Sequence, residues 1–528
     1  MRRCSRRWVP LLLLLGLAAA SPARGGGFEF GTNGAVANGR AGAFVARGDD
    51  PTSLYYNVAT MGRMPPGTHL LFDCVLAQRR LSFQRAGEMD FAGANRFRVD
   101  GLPYPAVHDS AGPFPGPFFA VVTDLGLDSD FELGLGVFGP AAIGRFEYPT
   151  QSWVVNHDGE RIPIPAPQRY DALNADILFV WPTLAVAWRI TDDLAVGGAF
   201  QPGMLNIRFQ QMSVAFGNGD DVVADIRANL DVWDWFVPGG MLGVWYRPWR
   251  YLELGLSVRA QDSIAAEGDI VTISNPYGVR DQEPVASDAW TDYNTAGGEH
   301  PPTGKVSFNW PWIQVRTGLR FVWPRDTPDV AGDALDPQLA AELGRLPPHV
   351  REWFDIELDV TYEMNSALDD FKIQIGGVVP MGYDLPNLAV RPDLEHPENS
   401  GLLASPHRWQ DTVAVRLGGD VNLLDGALSL HWGASWESAT VPPEWTRVDF
   451  AYFETWAVAA GITVRLPWWG LRVTASHQHL FMADRDITGG KTRILTAIER
   501  PEEMIPVVNN GHYEEAIDIF AVGLSASL

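Results

Sequence analysis

The stretch from residue 354 to residue 364 reads Phe-Asp-Ile-Glu-Leu-Asp-Val-Thr-Tyr-Glu-Met. Apolar side chains alternate with acidic or polar ones at every position. Successive side chains of a β-strand point to opposite faces, so this stretch has one apolar face and one charged face. The stretch therefore predicts a strand with two different environments on its two sides.

The same alternation recurs to the end of the chain in segments of about ten residues. It is clear at 413–423 (VAVRLGGDVNL), at 427–437 (ALSLHWGASWE) and at 520–528 (FAVGLSASL). Fourteen such segments follow the N-terminal region, centred near residues 75, 120, 136, 182, 203, 238, 258, 316, 359, 416, 432, 459, 475 and 520.

The connections between these segments alternate in length. Segments 85–114, 145–173, 275–302, 378–405 and 485–511 are long, whereas the turns near 124–130, 191–193, 247–250, 424–426 and 467–470 are short. Bacterial outer-membrane barrels have an even number of strands, long outer loops and short periplasmic turns. We therefore predict an all-β fold, a transmembrane antiparallel β-barrel of fourteen strands spanning residues 67–528.

A soluble β-sandwich would also alternate, but tryptophans at strand ends favour a membrane barrel, which carries aromatic girdles at both interfaces. The residues expected in these girdles are Trp181, Trp245, Trp249, Trp310, Trp312, Trp323, Trp353, Trp468 and Trp469.

One connection breaks the alternation of lengths. Residues 324–351 should form a short turn but span about 28 positions, and 336–343 (DPQLAAEL) has the pattern of a short capped helix. We interpret this connection as a periplasmic insertion. The alternative is that the count is wrong by one pair of strands.

The N-terminus predicts export. Four arginines within the first seven residues precede the apolar run Leu11–Ala20, and small residues follow that run. This is the layout of a secretory signal peptide, assigned to residues 1–23, and ten apolar residues are too few to span a bilayer as a helix.

Composition excludes two further classes of protein. Cys4 is removed with the signal peptide, so Cys74 is left alone and the chain cannot be a disulfide-stabilised scaffold. The formal net charge of −24 argues against nucleic-acid binding, which requires a basic surface.

Residues 24–66 are rich in Gly, Ala and Asn and show no sustained alternation, so they predict a plug packed inside the barrel. Residues 39–57 (GRAGAFVARGDDPTSLYYN), followed by Val58-Ala59, resemble the hatch of the FadL/TodX family. Those proteins are outer-membrane transporters for long-chain fatty acids and aromatic hydrocarbons. Val58 stands where the family signature Asn-Pro-Ala has proline. The residues matched to the hatch motif are Gly39, Arg40, Asp50, Pro51, Tyr56, Asn57 and Ala59.

Shorter patches at 131–140, 182–190 and 510–513 are similar to the same family. The resemblance implies a fourteen-stranded barrel with a luminal apolar pocket. It also implies sideways release of the ligand through a gap made by an inward kink of the third strand. Gly139-Pro140 is the expected kink, because proline donates no ladder hydrogen bond. The alternative is that Pro140 only ends the strand.

Five charged residues are expected on the luminal faces of two neighbouring strands. Arg316 and Arg320 lie on one strand, and Asp355, Glu357 and Asp359 lie on the next. They could seat the hatch, bind a ligand carboxylate at the arginines, or simply line a polar barrel interior.

No motif predicts an enzyme, a cofactor or a metal site. His477, His479 and His512 lack the accompanying ligand pattern of a metal centre, so we interpret the first two as histidines at the lipid interface. No nucleophile motif occurs.

The predicted function is transport of hydrophobic small molecules across the outer membrane, with fatty acids and aromatic hydrocarbons both open as ligands. The alternatives are a general porin and an adhesin-type structural barrel. The expected partners are the hydrophobic ligand, outer-membrane lipids and the barrel-assembly machinery, with no nucleic acid, and the barrel is expected to be a monomer.

Overall fold

The computed structural model of the protein describes residues 32–91, 97–127, 130–141, 144–215, 222–279, 284–286, 303–324, 352–375, 378–379, 388–389, 401–450, 452–466 and 470–528. The predicted signal peptide, residues 24–31 of the predicted hatch and residues 325–351 of the predicted insertion, with its helix, lie outside the described residues.

Fourteen strands form the barrel wall. They are β1 (Thr68–Arg85), β2 (Phe114–Thr123), β3 (Phe131–Phe138), β4 (Asn174–Thr191), β5 (Leu194–Phe200 and Gly203–Val214), β6 (Asp225–Val237 and Gly239–Trp249), β7 (Leu252–Gln261 and Ile264–Ser274), β8 (Thr303–Phe308 and Ile313–Pro324), β9 (Glu352–Glu363 and Asp370–Ile375), β10 (Leu402–Pro406 and Thr412–Leu423), β11 (Leu428–Glu437), β12 (Thr455–Arg465), β13 (Arg472–Met482) and β14 (Gly511–Ser527).

Each strand pairs antiparallel with the next one in the chain, and β14 pairs with β1 from His69↔Ser527 to Arg85↔Gly511. The wall is therefore a closed ring of fourteen strands, so the predicted fold and strand number are confirmed. The predicted centres fall on these strands, with residue 238 at the one-residue break within β6.

Six neighbouring strands, β5 to β10, are interrupted at one level of the barrel. Their breaks include Pro202, Pro238 and Pro311, and proline cannot donate to the ladder of a central strand. On one side of the breaks, the strand segments joined by the short turns complete the closed ring. On the other side, the segments next to the long loops pair with one another and extend the wall.

The two faces of the wall match the alternation of the sequence. On β9, Ile356 and Leu358 are exposed on the outside, whereas Asp355, Glu357 and Asp359 are buried inside. The large apolar residues exposed along the outside give the barrel a surface suited to lipid.

Trp249, Trp312, Trp323 and Trp353 are exposed, as a girdle requires, but the girdle prediction is wrong for three other tryptophans. Trp181, Trp245 and Trp310 are buried because they pack inside the barrel. A strand-end position does not fix which face a side chain takes. Trp468 and Trp469 lie outside the described residues.

Short elements complete the described structure. Two α-helices, Ala35–Gly39 and Ser53–Tyr56, and a 3-10 helix, Val58–Arg63, precede β1. Further 3-10 helices are Val222–Ala224, Asn365–Ala367, Leu424–Gly426, Pro443–Trp445 and Glu502–Met504. Short strands outside the ring are Val107–His108, Arg145–Glu147, Gln151–Val155, Arg161–Pro165, Val285–Ala286, Val378–Val379, Leu388–Ala389 and Arg485–Ile487. Within the described residues, the search for a membrane-crossing helix finds none of sufficient length and apolarity.

Candidate functional site

The segment 32–66, called the hatch below, lies inside the barrel. All but four of its residues are buried. Its helix Ala35–Gly39 packs on β11 to β14, and its 3-10 helix Val58–Arg63 packs on β3 to β6. The hatch therefore contacts widely separated parts of the ring.

Arg40 of the hatch binds three carboxylates of the wall. Its Nη1 lies 2.9 Å from an oxygen of Asp355 and 2.9 Å from one of Asp420, and its Nη2 lies 2.9 Å from Glu357. Its Nε donates to the carbonyl of Ala43 at 2.8 Å. A buried guanidinium is stable only when it is paired and hydrogen-bonded, and this one is bonded at all three nitrogens.

The same face of β9 also holds the hatch backbone. Asp359 accepts the backbone N–H groups of Phe44 at 2.7 Å and Val45 at 3.0 Å. Glu357 accepts the N–H group of Ala46 at 2.6 Å. These carboxylates replace the water that would otherwise bind a buried irregular backbone.

Arg320 supports this acidic face from β8. It is buried and forms ion pairs with Asp355, with Glu352 and, at 2.7 Å, with Glu253. Arg320 is thus a wall residue that fixes the carboxylate facing Arg40.

Arg316 contacts the hatch on another side. It donates to the carbonyl of Tyr55 at 2.7 Å, and Arg259 of β7 donates to the same oxygen at 2.8 Å. Ser257 donates to the carbonyl of Tyr56 at 2.6 Å. These bonds satisfy carbonyls at the C-terminal end of the second hatch helix, where cationic donors are favoured.

Asn57 joins three parts of the structure. Its Oδ1 accepts the N–H group of Ala59 at 3.2 Å, and its Nδ2 donates to the carbonyls of Val45 at 3.0 Å and Val244 at 3.1 Å. An asparagine is suited to this position because its amide both donates and accepts.

The remaining motif residues shape the hatch turns. Asp50 accepts the N–H group of Thr52 at 2.8 Å, and Pro51 follows it at the start of the second helix. The Tyr56 hydroxyl accepts the N–H group of Asn33 at 3.2 Å.

Glycines on the luminal face of the wall mark where the hatch backbone approaches, a signal that sequence reasoning missed. A Cβ atom on Gly255 would lie 2.3 Å from the carbonyl oxygen of Val45, and one on Gly461 would lie 3.2 Å from Cα of Gly39. Five further wall glycines meet hatch atoms or their ligands as closely: Gly197, Gly243, Gly318, Gly418 and Gly433. Glycine inside a strand commonly marks such a close approach.

The wall has a gap where β3 ends. The β3–β4 ladder stops at Phe138↔Trp181, and the β2–β3 ladder stops at Phe119↔Val137. Beyond these two pairs, no strand of the described residues lies between 114–118 of β2 and 177–180 of β4. Pairing to this edge of β4 resumes at Arg145, which lies opposite Asp176. We call this region the wall gap.

Gly139 and Pro140 lie at the end of β3, on the rim of the wall gap. The hatch contacts this rim, because Asn33 Nδ2 donates to the carbonyl of Gly139 at 2.8 Å and the Tyr55 hydroxyl accepts the N–H group of Ala141 at 3.4 Å. Pro140 thus follows the last strand residue of β3 by two positions, and the chain turns towards the hatch.

The opposite rim carries a second signal that sequence reasoning missed. Pro115 and Pro117 of β2 remain in register with β1, opposite Leu76 and Cys74. Residues two apart turn their backbone groups to the same neighbour, and proline has no N–H group to donate. The β1 ladder can include both prolines only if their nitrogens face the wall gap.

A cavity of about 320 Å³ begins at the wall gap. Its lining includes Phe119 and Leu178, which are exposed on the outside, and Phe138 and Phe179, which are buried inside. It continues to Trp310, whose ring centroid lies 4.9 Å from that of Phe179. The cavity is therefore lined by residues from both faces of the wall, chiefly by aromatic and aliphatic side chains.

Four polar residues line another part of the cavity: Ser405, His407, Arg447 and Asp449. Ser405 belongs to the segment Leu402–Pro406 of β10, and His407 directly follows that segment. In the ring of fourteen, β10 lies seven strands from β3. Burial raises the pKa of Asp449, but the charges of Arg447 and His407 outweigh it and lower that pKa to about 2. This carboxylate is therefore ionised at neutral pH.

The three histidines do not meet. His477 and His479 bind the same Asp518 oxygen on the outside of the barrel, at 3.0 and 2.7 Å. His512 instead bridges Asp486 and Glu514 in an exposed position. The side chains of Asp484, His512 and Glu514 lie close enough to share a metal ion, but exposed acidic groups of this kind are common without one. The rings of His477 and His479 both lie on the outer face of β13, and their position at a lipid interface stays a prediction.

The structure resembles a solved FadL homologue and solved toluene transporters. A FadL homologue from Pseudomonas aeruginosa superimposes with a TM-score of 0.64 over 95% of this chain and 100% of that chain, at 12% identity. The toluene transporter TodX of P. putida gives 0.59 over 94% and 99%, also at 12% identity. The toluene transporter TbuX of Ralstonia pickettii gives 0.56 over 94% and 98%, at 11% identity.

By sequence, no protein-family model and no curated protein matches the chain. The structural likeness nevertheless covers both partners almost completely. The predicted resemblance in fold is therefore confirmed, and the chain has the fold of the FadL and TodX channels.

Proposed function

We propose that this chain, which folds as the FadL and TodX channels do, transports hydrophobic small molecules across the outer membrane. The ligand binds in the cavity and leaves sideways through the wall gap. The observation that carries the proposal is the apolar cavity itself, because its lining joins buried aromatic residues to residues on the outer face of the wall.

An apolar ligand gains from this route at each step. Removing its surface from water stabilises it by ~25 cal/mol per Å² in a dry site. A sideways exit then delivers it to the bilayer without a second transfer through water. The solved neighbours named as toluene transporters support a ligand of this class.

The hatch serves two roles in this proposal. It fills part of the barrel lumen, so water-soluble solutes are excluded. It also holds the rim of the wall gap through Asn33 and Tyr55. Gly139 and Pro140 end β3 so that the gap stays open. The native state is a monomer placed in the outer membrane by the barrel-assembly machinery.

Transport is tested in cells that lack their own hydrocarbon channels and carry a strong outer-membrane barrier. We expect uptake of radiolabelled toluene to rise when the protein is present, and uptake of a sugar of similar size to stay at background. Uptake of the sugar together with toluene would contradict the proposal and favour a general porin. Failure to raise toluene uptake, at normal surface levels of the barrel, would contradict transport.

Deleting residues 27–66 provides a second check. The wall strands hold one another through ladder bonds, so the barrel is expected to insert. Conductance in planar bilayers should rise severalfold, because a fourteen-stranded ring without its filling leaves an aqueous channel. Unchanged conductance of the folded deletion variant would show that the hatch is not the plug.

A further inference from the structure

The polar part of the cavity has a definite arrangement of charge. Arg447 Nε lies 3.1 Å from Asp171 and 3.2 Å from Asp449. Its Nη1 donates to the hydroxyl of Ser405 at 2.8 Å, and its Nη2 donates to the backbone carbonyl of Asp171 at 3.4 Å. Nη1 and Nη2 of this guanidinium therefore donate to oxygens of the protein, and Nε forms close ion pairs with two carboxylates without a hydrogen bond of its own.

His407 is engaged in the same way. Its Nδ1 lies 2.9 Å from the carbonyl oxygen of Ser405, and its Nε2 lies 3.2 Å from Asp449. Both ring nitrogens thus face oxygen acceptors. Two carboxylates, Asp171 and Asp449, accompany the one arginine, and all four of these titratable groups are buried.

A ligand carboxylate would enter this region at a disadvantage. Among the described residues that line the cavity, Arg447 is the only lysine or arginine, and it is already paired with Asp171 and Asp449, the second of which also pairs with His407. A third carboxylate would lose its water and lie near like charges without a free cation, which is a costly form of burial.

An uncharged polar group meets no such obstacle. A hydroxyl can donate to a carboxylate oxygen, so it can join the Ser405, His407 and Asp449 group without adding charge. The aromatic lining, including Phe371 and Phe450 beside His407, suits a ring-bearing ligand.

We infer that the cavity selects uncharged aromatic ligands, including those with a hydroxyl group, and rejects carboxylate anions such as fatty acids. This inference rests on the proposed function, because it concerns the ligand of the same cavity. It separates the two ligand classes that the sequence left open.

A matched pair of probes tests the inference directly. At pH 7.5, 4-butylphenol is neutral and 4-butylbenzoate is an anion, because phenols ionise near pH 10 and carboxyls near pH 4 to 5. Binding to the full barrel in lipid nanodiscs is measured by calorimetry, with empty nanodiscs subtracted. We expect the phenol to bind about tenfold more tightly or better.

The outcomes are distinct. Equal or tighter binding of the benzoate overturns the inference and leaves the proposed function standing. Binding of neither probe overturns both. Binding of the phenol with the expected preference supports both.

A variant tests the origin of the preference. Asp449→Asn removes one of the two charges that neutralise Arg447, so the ratio of phenol to benzoate affinity should fall by about tenfold. Asp411→Asn is the matched control, since Asp411 accepts from Tyr362 at 2.7 Å on an exposed site outside the cavity. An unchanged ratio in folded Asp449→Asn protein, or an equal fall in the control, overturns the charge explanation.

Discussion

Cells carrying the Gly116→Leu variant are expected to lose about tenfold or more of their uptake of a hydrophobic substrate, because the added side chain enters the cavity beside the wall gap. Gly116 lies on β2 and lines the cavity. The nearest heavy atom to a Cβ at this position would be the carbonyl oxygen of Val75, at 3.8 Å. A Cβ atom therefore fits at this position in ordinary contact with its neighbours, and the barrel should fold normally.

The control is Gly489→Leu, at a loop position where a Cβ has no heavy atom within 4 Å. Uptake, normalised to folded surface protein, should be unchanged in this variant. Full uptake by Gly116→Leu would mean that the ligand leaves elsewhere. Gly139→Ala is a weaker tool, because its Cβ would lie 2.7 Å from the carbonyl oxygen of Phe179 and would strain the rim.

The Arg40→Met variant is expected to weaken docking of the hatch by ~3–5 kcal/mol, since it removes a buried cation that three buried carboxylates share. This corresponds to a ~100-fold or larger rise in the population of barrels with a displaced hatch. In planar bilayers, the urea concentration at which current first appears should fall clearly below that of the unaltered protein.

Arg80→Met provides the comparison, because Arg80 pairs with Asp518 on the outside of the barrel and is 60% exposed. Such surface pairs contribute ~1 kcal/mol or less, so the onset of current should not change. If Arg40→Met also leaves the onset unchanged, the ion pairs of Arg40 do not hold the hatch.

The sequence was sufficient for the ring of strands because alternation is a local property. Asp355 and Ile356 are adjacent, and their polar and apolar side chains indicate which face of the strand is which without any information about the neighbouring strands. The hatch could be located for a different reason, its resemblance to a known motif at 39–59. The sequence did not decide whether Arg316 and Arg320 seat the hatch, bind a ligand or line the interior. Their partners Tyr55 and Glu253 are distant in sequence, so no local pattern identifies these contacts.

The cavity was the least predictable part. Arg447 and Asp449 lie in a connection without alternation, so no periodic pattern assigns them to a face or a neighbour. Trp181 was predicted at the lipid interface and is buried beside Phe138 and Phe179. The role of Pro-Gly-Pro at 115–117 also went unpredicted, because the wall gap beside these residues exists only in the fold.

The β2 edge of the wall gap bears on how the barrel behaves among its neighbours. An unpaired strand edge is a template on which another chain can add a strand, and this hazard leads to aggregation. In a membrane crowded with β-barrels, the wall gap would offer such a template at β2. Pro115 and Pro117 remove two of the donors that an incoming strand would need. The same residues that leave the wall open thus protect the barrel from being joined through the opening to another.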